Sequence, residues 1–167
     1  MAEVVAVVDE RGRAVGRAAR RTAHKKRLLH RSAHVLLFDS AGRLFVQRRA
    51  LSKDLYPGKF AASASGHVRL GEGVRQAAAR ELAEELGLRG LKLIRIATIL
   101  SSTPEENELC TYFKAVLPEG ARASPNRKEL ILRDSRFLSW RQAAALNREK
   151  IAPSLAIALS LRRQGRV

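Results

Sequence analysis

The sequence predicts an α/β protein in which helices cover a mixed sheet. Three observations carry the prediction. Apolar, β-branched runs of strand length recur, as in "VVAVVD" (4–9) and "LKLIRIATIL" (91–100). Residues 73–86 have helical spacing and end at Gly87, a natural stop. Strand-like and helix-like stretches interleave without the strict alternation of an all-parallel fold.

The elements follow in order. "VVAVVD" is a strand and "ERG" its turn. "HVLLFDSAGRLFVQRR" (34–49) is a hairpin folded around Ser-Ala-Gly. "LYPGKF" (55–60) is a loop, because Pro57 and Gly58 break regular structure. "FAASASGHV" (60–68) is expected as one short strand of small residues. Residues 91–100, 108–117 and 135–140 are expected as strands, and "RQAAALNRE" and "SLAIALSLRRQ" as closing helices. No repeat, low-complexity segment or linker divides the chain, so residues 1–167 are expected to form a single domain.

A chain of 167 residues can bury a sizeable core, and 46% hydrophobic with 29% charged residues fits a globular protein in water. The single cysteine, Cys110, excludes an intrachain disulfide and suits a reducing cytoplasm. It sits among Leu109, Tyr112 and Phe113, which predicts a buried, inert thiol. No apolar run is long enough to span a bilayer, and an acid at position 3 argues against a signal peptide. No membrane role is expected. The apolar "SLAIALSL" leaves both a monomer and a homodimer open.

The formal net charge is +16. A cationic face attracts phosphate compounds, nucleic acid or acidic lipid, although genomic base composition also enriches arginine. The distribution is uneven. Residues 11–31 hold nine Lys/Arg and no acid, whereas residues 72–108 hold seven of the sixteen acids. That pattern suggests an anionic site within a cationic surround.

The centre of the anionic region is "GHVRLGEGVRQAAARELAEELGL" (66–88). On a helix, Glu81, Glu84 and Glu85 stand at i, i+3 and i+4, on one face, where like charges repel. Leu82 and Leu86 form an adjacent apolar stripe for docking on the sheet. Three converging carboxylates suit Mg²⁺ or Mn²⁺, which favour oxygen ligands. Gly66 and Gly71 permit a tight loop at the helix start, and Arg80 can pair with a carboxylate and hold the cluster in geometry. The competing interpretation is a solvated charged face.

The whole stretch reads Gly66, five residues, Glu72, seven residues, Arg80-Glu81-Leu82, one residue, Glu84-Glu85, one residue, Gly87-Leu88. It matches every fixed position of the Nudix box, so the chain resembles the Nudix superfamily. The resemblance implies an α/β/α sandwich with a mixed central sheet, and hydrolysis of a diphosphate linked to another moiety with a divalent metal. It implies Glu81, Glu84 and Glu85 as metal ligands, with Arg80 and Glu72 supporting loop and helix. Gly66 belongs to the same candidate metal set. Arg48, Arg49, Lys53 and Lys59 are candidates on the approach for a small-molecule diphosphate, and Tyr56 and Phe60 for contact with its other half.

A second resemblance covers residues 4 to 155. "AHKKRLLHRSAHVLLFDSAGRLFVQRRALSKDLYPGKF" is similar to type 1 isopentenyl-diphosphate isomerases, which are themselves Nudix superfamily members. Those enzymes hold a metal among three histidines and two glutamates, which correspond here to His24, His30, His67, Glu106 and Glu108. That implies a second divalent metal, and imidazole with carboxylate suits Mn²⁺, Zn²⁺ or Fe²⁺. Two departures oppose isomerisation. Ser65 stands where the isomerases have a cysteine acid, and a hydroxyl is a poorer proton donor than a thiol. "IAPSLAIAL" lacks the tryptophan that faces their cationic intermediate. The box is also intact here and degenerate in the isomerases.

Three function classes follow: a metal-dependent pyrophosphohydrolase, an isopentenyl-diphosphate isomerase, and a basic RNA-binding protein on the same fold. The hydrolase is favoured by the complete box, with Glu84, Glu85, Glu108 and Arg80 as catalytic candidates. Glu106 is a further candidate base. No nucleic-acid motif supports the third class.

Overall fold

The computed structural model describes residues 3–167. Nine strands and four helices run in the order β1 Val4–Val8, β2 Ala14–Ala19, α1 Arg20–Lys25, β3 His30–Phe38, β4 Leu44–Arg48, β5 Phe60–Ala61, β6 Ala64–His67, α2 Val74–Leu86, β7 Ile94–Ser102, β8 Asn107–Val116, β9 Arg136–Leu138, α3 Trp140–Ala144 and α4 Pro153–Arg163. The sheet is mixed. β3 is its hub, parallel to β8 and antiparallel to β1, β4 and β6. β7 extends it beyond β8, and β9 pairs with β4.

Strand alternation sorts β3 onto two faces. Ala33, Val35 and Leu37 point into a core shared with Ala77, Ala78, Leu82 and Leu86 of α2. Leu36 and Phe38 point into a second core with Leu155, Ala158 and Leu161 of α4. The predicted α/β/α sandwich with a mixed central sheet is the observed architecture, and Leu82 and Leu86 dock as the apolar stripe of α2. Trp140 packs against Phe38 in the second core. No helix among the described residues is long and apolar enough to cross a membrane.

Three stretches differ from the sequence expectation. β2 and α1 form where arginine and alanine showed no period. β2 is held by backbone pairing with β1 along its length, and most of its side chains stay in solvent, so no apolar alternation is required. "FAASASGHV" is two strands, because the chain changes partner from β4 to β3 within it. Ser63 marks the crossover: its N–H donates to Val35 O, its hydroxyl donates to Phe45 O and accepts from Leu37 N. Residues 141–149 are not one helix. α3 ends at Ala144, and Asn147 starts a separate 3-10 turn by accepting from Glu149 N.

Gly87 ends α2 at φ 68, a left-handed conformation that favours glycine. Leu82→Ala is expected to destabilise the protein by about 2–5 kcal/mol, because it opens a void under a helix packed on the sheet. Gly87→Ala is expected to cost less, about 1 kcal/mol. Urea denaturation midpoints of the two variants check both the signs and the order.

Candidate active site

The loop before α2 turns at Gly71 (φ 81), which brings Glu72 back to accept from Arg69 N at 3.0 Å. Gln76 Oε1 accepts from Gly73 N at 2.8 Å at the helix start. Arg80 then reaches back over the loop. Its Nε and Nη2 hold both Glu72 oxygens at 2.9 and 3.0 Å, and Nη2 also donates to His67 O at 2.9 Å. Its Nη1 pairs with Glu81 and, at 3.3 Å, with Glu84. One planar guanidinium thus ties the loop, β6 and three carboxylates together.

Gly66 lies directly against the Glu81 carboxylate, and a Cβ there would overlap it. Glu85 is buried and accepts from Gln47 Nε2 at 2.9 Å. Burial, with nearby Glu81 adding to it, pushes the Glu85 carboxyl up to about 8. Burial also raises Glu81, against the pull of Arg80. Glu84 is half-exposed at the rim. Buried carboxylates whose ionised forms are penalised, gathered on one wall, are a donor set that fits a divalent cation bound by oxygen.

A second group faces them. Ligand atoms of His24, His30, His67 and Glu108 lie within 4.8 Å of one another. His24 Nε2 and His67 Nε2 are 2.9 Å apart, and Glu108 Oε1 lies 3.3 Å from His67 Nε2 and 3.7 Å from His30 Nε2. His30 Nδ1 lies 2.8 Å from Leu28 O and donates to it, since a carbonyl only accepts. The Nε2 lone pair of neutral His30 therefore faces the group, buried and without a hydrogen-bond partner. Burial lowers the His24 and His30 pKa values and keeps both neutral. Burial works against the Glu108 charge, but His67 and the other imidazoles hold its carboxyl below the usual range. Imidazoles gathered around a carboxylate, one of them oriented by a backbone carbonyl, fit a transition-metal ion.

Glu106, the fifth predicted member, is outside that four-residue group but lines the same cavity. Ser101 Oγ donates to it at 2.7 Å, and burial with neighbouring Glu108 pushes its carboxyl up to about 7. The cavity, of about 230 Å³, also contains Gly66, Ser65, Glu81, Glu84 and Glu85. Of the proposed approach residues, Arg49 and Lys53 line it. Arg48 instead donates to Gly58 O and pairs with Asp134, and Lys59 covers the Tyr56 ring. Tyr56 lines the cavity, whereas Phe60 lies under Arg48. Cys110 is buried, and burial raises its thiol well above the usual value.

Sequence reasoning missed Glu3, Arg20, Glu129 and His34 on the cavity wall. The first three come from distant segments and carry no local signal. His34 was legible, because it follows His30 by four residues on a strand and shares its face.

The family model of the NUDIX domain matches residues 28–159. The chain is 38% identical over 147 residues to an uncharacterized Nudix hydrolase of Pseudomonas aeruginosa, covering 83% of this chain and 87% of that one. It is 49% identical over 85 residues to an isopentenyl-diphosphate delta-isomerase of Nocardia farcinica, spanning 50% of this chain and about half (49%) of that relative. The crystal structure of DR0079 from Deinococcus radiodurans superposes with a TM-score of 0.78 at 25% identity, covering 96% and 98% of the two chains.

Two outcomes follow. Gly66→Ala is expected to displace the Glu81 carboxylate, the flexible partner, and so to lower metal-dependent activity at least about tenfold with little loss of stability. Thermal unfolding and activity measured on the same preparation check it. Burial pushes the His34 pKa from 6.5 down to about 4. The folded state keeps His34 neutral while the unfolded chain takes up a proton below pH 6.5. With chelator present, stability is therefore expected to fall between pH 6.5 and 4, by on the order of 3 kcal/mol from this group. Urea titrations at several pH values should show a shallower slope for His34→Phe.

Proposed function

This chain belongs to the Nudix family, and we propose that it is a divalent-metal-dependent hydrolase cleaving the phosphoanhydride of a nucleoside diphosphate derivative or similar small diphosphate. The observation that carries the proposal is the single cavity lined by Glu81, Glu84 and Glu85 on one side and by Glu106 and Glu108 on the other, with Arg49 and Lys53 on its wall. Mg²⁺ or Mn²⁺ bound by the α2 carboxylates would neutralise the diphosphate and stabilise the charge developing in phosphoryl transfer.

The chain's own residues supply the rest. Arg80 orients Glu81 and Glu84, and Gln47 orients Glu85. Arg49, half-buried and held by Leu55 O at 2.9 Å, offers fixed positive charge to a phosphate. Glu106, raised to about 7 by burial, is suited to take a proton from an attacking water, and Glu85, raised to about 8, would be once a bound cation favoured its ionised form. Glu108 is committed to its histidines, and in this reading its role is to hold a second divalent ion with His24, His30 and His67.

One observation favours a second reading. Four of the five residues implied by the isomerase resemblance, His24, His30, His67 and Glu108, lie together. Isomerisation needs a proton donor on the cavity wall at Ser65, and a hydroxyl serves poorly. Hydrolysis needs no such donor, so it is the reading adopted.

The test is phosphoanhydride cleavage, read as inorganic phosphate, diphosphate or the phosphate-ester products, from a panel of nucleotides, nucleotide sugars, dinucleotides and isopentenyl diphosphate in Mg²⁺ or Mn²⁺. Cleavage of at least one compound is expected, falling about a hundredfold or more in Glu85→Gln. Formation of an isomer from isopentenyl diphosphate without any cleavage would replace the hydrolase reading by the isomerase.

A further inference from the structure

The two ring nitrogens of His67 have different neighbours. Nε2 faces the histidine group, 2.9 Å from His24 Nε2 and 3.3 Å from Glu108 Oε1. Nδ1, on the other side of the ring, lies 3.6 Å from Glu3 Oε1. Glu3 lines the same cavity but is not one of the four converging residues. Its carboxylate stands behind the imidazole, not among the ligand atoms.

Backbone pairing brings Glu3 there. Its carbonyl accepts from Arg20 N at 2.8 Å, at the start of α1, the helix that carries His24. The next carbonyl, that of Val4, accepts from Leu70 N at 2.9 Å, just after His67 on the chain. The start of β1 thus lies between the elements that carry His24 and His67. Among the described residues no hydrogen bond holds the Glu3 side chain elsewhere. Its other oxygen is 3.8 Å from Arg20 Nε, a buried donor without a hydrogen-bond partner. Both contacts are ion-pair distances, longer than hydrogen bonds, so a small rotation of Glu3 suffices to close the one to His67.

A neutral imidazole that binds a metal through Nε2 carries its proton on Nδ1. Ligating histidines give that proton to a carboxylate or a backbone carbonyl, which fixes the ring. For His30 the acceptor is Leu28 O, 2.8 Å from Nδ1. For His67 the carboxylate beside Nδ1 is Glu3.

We infer that Glu3 is the positioning residue of His67: its carboxylate accepts from Nδ1, fixes the ring and leaves Nε2 bare for a divalent ion. This role rests on the second-metal reading of the histidine group. Glu3 acts through His67 and makes no bond to the ion. Its charge makes the imidazole a stronger donor, and its tie to the start of α1 keeps His24 and His67 in step.

Zn²⁺ affinity, measured on the whole chain by competition with a chromophoric chelator, tests this without reference to activity. Excess Mg²⁺ occupies the α2 carboxylates and leaves the imidazoles to zinc. The wild type is expected to bind zinc at this group and to lose that binding in His30→Ala. Glu3→Ala is expected to weaken it about tenfold or more. Glu3→Gln keeps an acceptor oxygen without the charge and is expected to lose less. In a His67→Ala background, where the ring is gone, Glu3→Ala is expected to cost nothing further. In the zinc-loaded protein the His67 Nδ1 proton is expected to be visible by NMR and to exchange with water faster in Glu3→Ala, which decides the matter if His67→Ala no longer binds. Unchanged affinity in Glu3→Ala, or an equal loss in both backgrounds, would overturn the role of Glu3 and leave the zinc site standing. No zinc binding by the wild type, or binding untouched by His30→Ala, would overturn the second-metal reading and the role of Glu3 with it.

Discussion

The site depends on one counter-charge. Four glutamates crowd the loop and one face of α2, and their mutual repulsion would splay them apart in solvent. Arg80 spends its whole fork on preventing this, bridging Glu72, Glu81, Glu84 and the carbonyl of His67. Because one of those partners is backbone from β6, the guanidinium also docks the helix against the sheet. The loop, the helix and the histidine strand therefore share one anchor. Glu81 of one candidate metal group and the His67 backbone of the other both bond to that anchor.

The rest of the geometry comes from β3. A strand presents alternate residues to opposite faces, so this one segment feeds both cores and the cavity. Its odd-numbered positions hold α2 in place through Ala33, Val35 and Leu37. Its even-numbered positions begin as site residues, His30, Ser32 and His34, and become core at Leu36 and Phe38. Parallel pairing with β8 brings Glu108, Cys110 and Tyr112 alongside in step. The cavity thus lies over the polar half of a strand pair, with the start of α4 on its wall.

Much of this was legible in the sequence, for physical reasons that differ by element. The box helix was legible because periodicity, spacing and terminal glycine are all local. Glu81, Glu84 and Glu85 share a face by helix geometry alone. Arg48 and Lys59, expected on the approach, do not line the cavity, and the sequence could not show this because a flexible cation's partner is not local: Asp134 pairs with one, and the Tyr56 ring lies under the other. Glu106 was grouped with the histidines through the isomerase resemblance, but its carboxylate accepts from Ser101 and lies outside the four-residue group. β2 escaped notice because an edge strand held by backbone hydrogen bonds needs no apolar pattern.

The sequence by itself determined the α/β class, the box and its chemistry, and which acids would repel unless a cation joined them. These rest on interactions within a few residues, which the order of residues specifies directly. The tertiary structure alone decided that His24, His30, His67 and Glu108 converge, and that Glu3, Arg20 and Glu129 wall the same cavity. Convergence of segments more than forty residues apart depends on sheet register and on which face each strand turns inward. Burial, which sets the protonation of Glu85, Glu106 and His34, exists only once those segments have closed over one another.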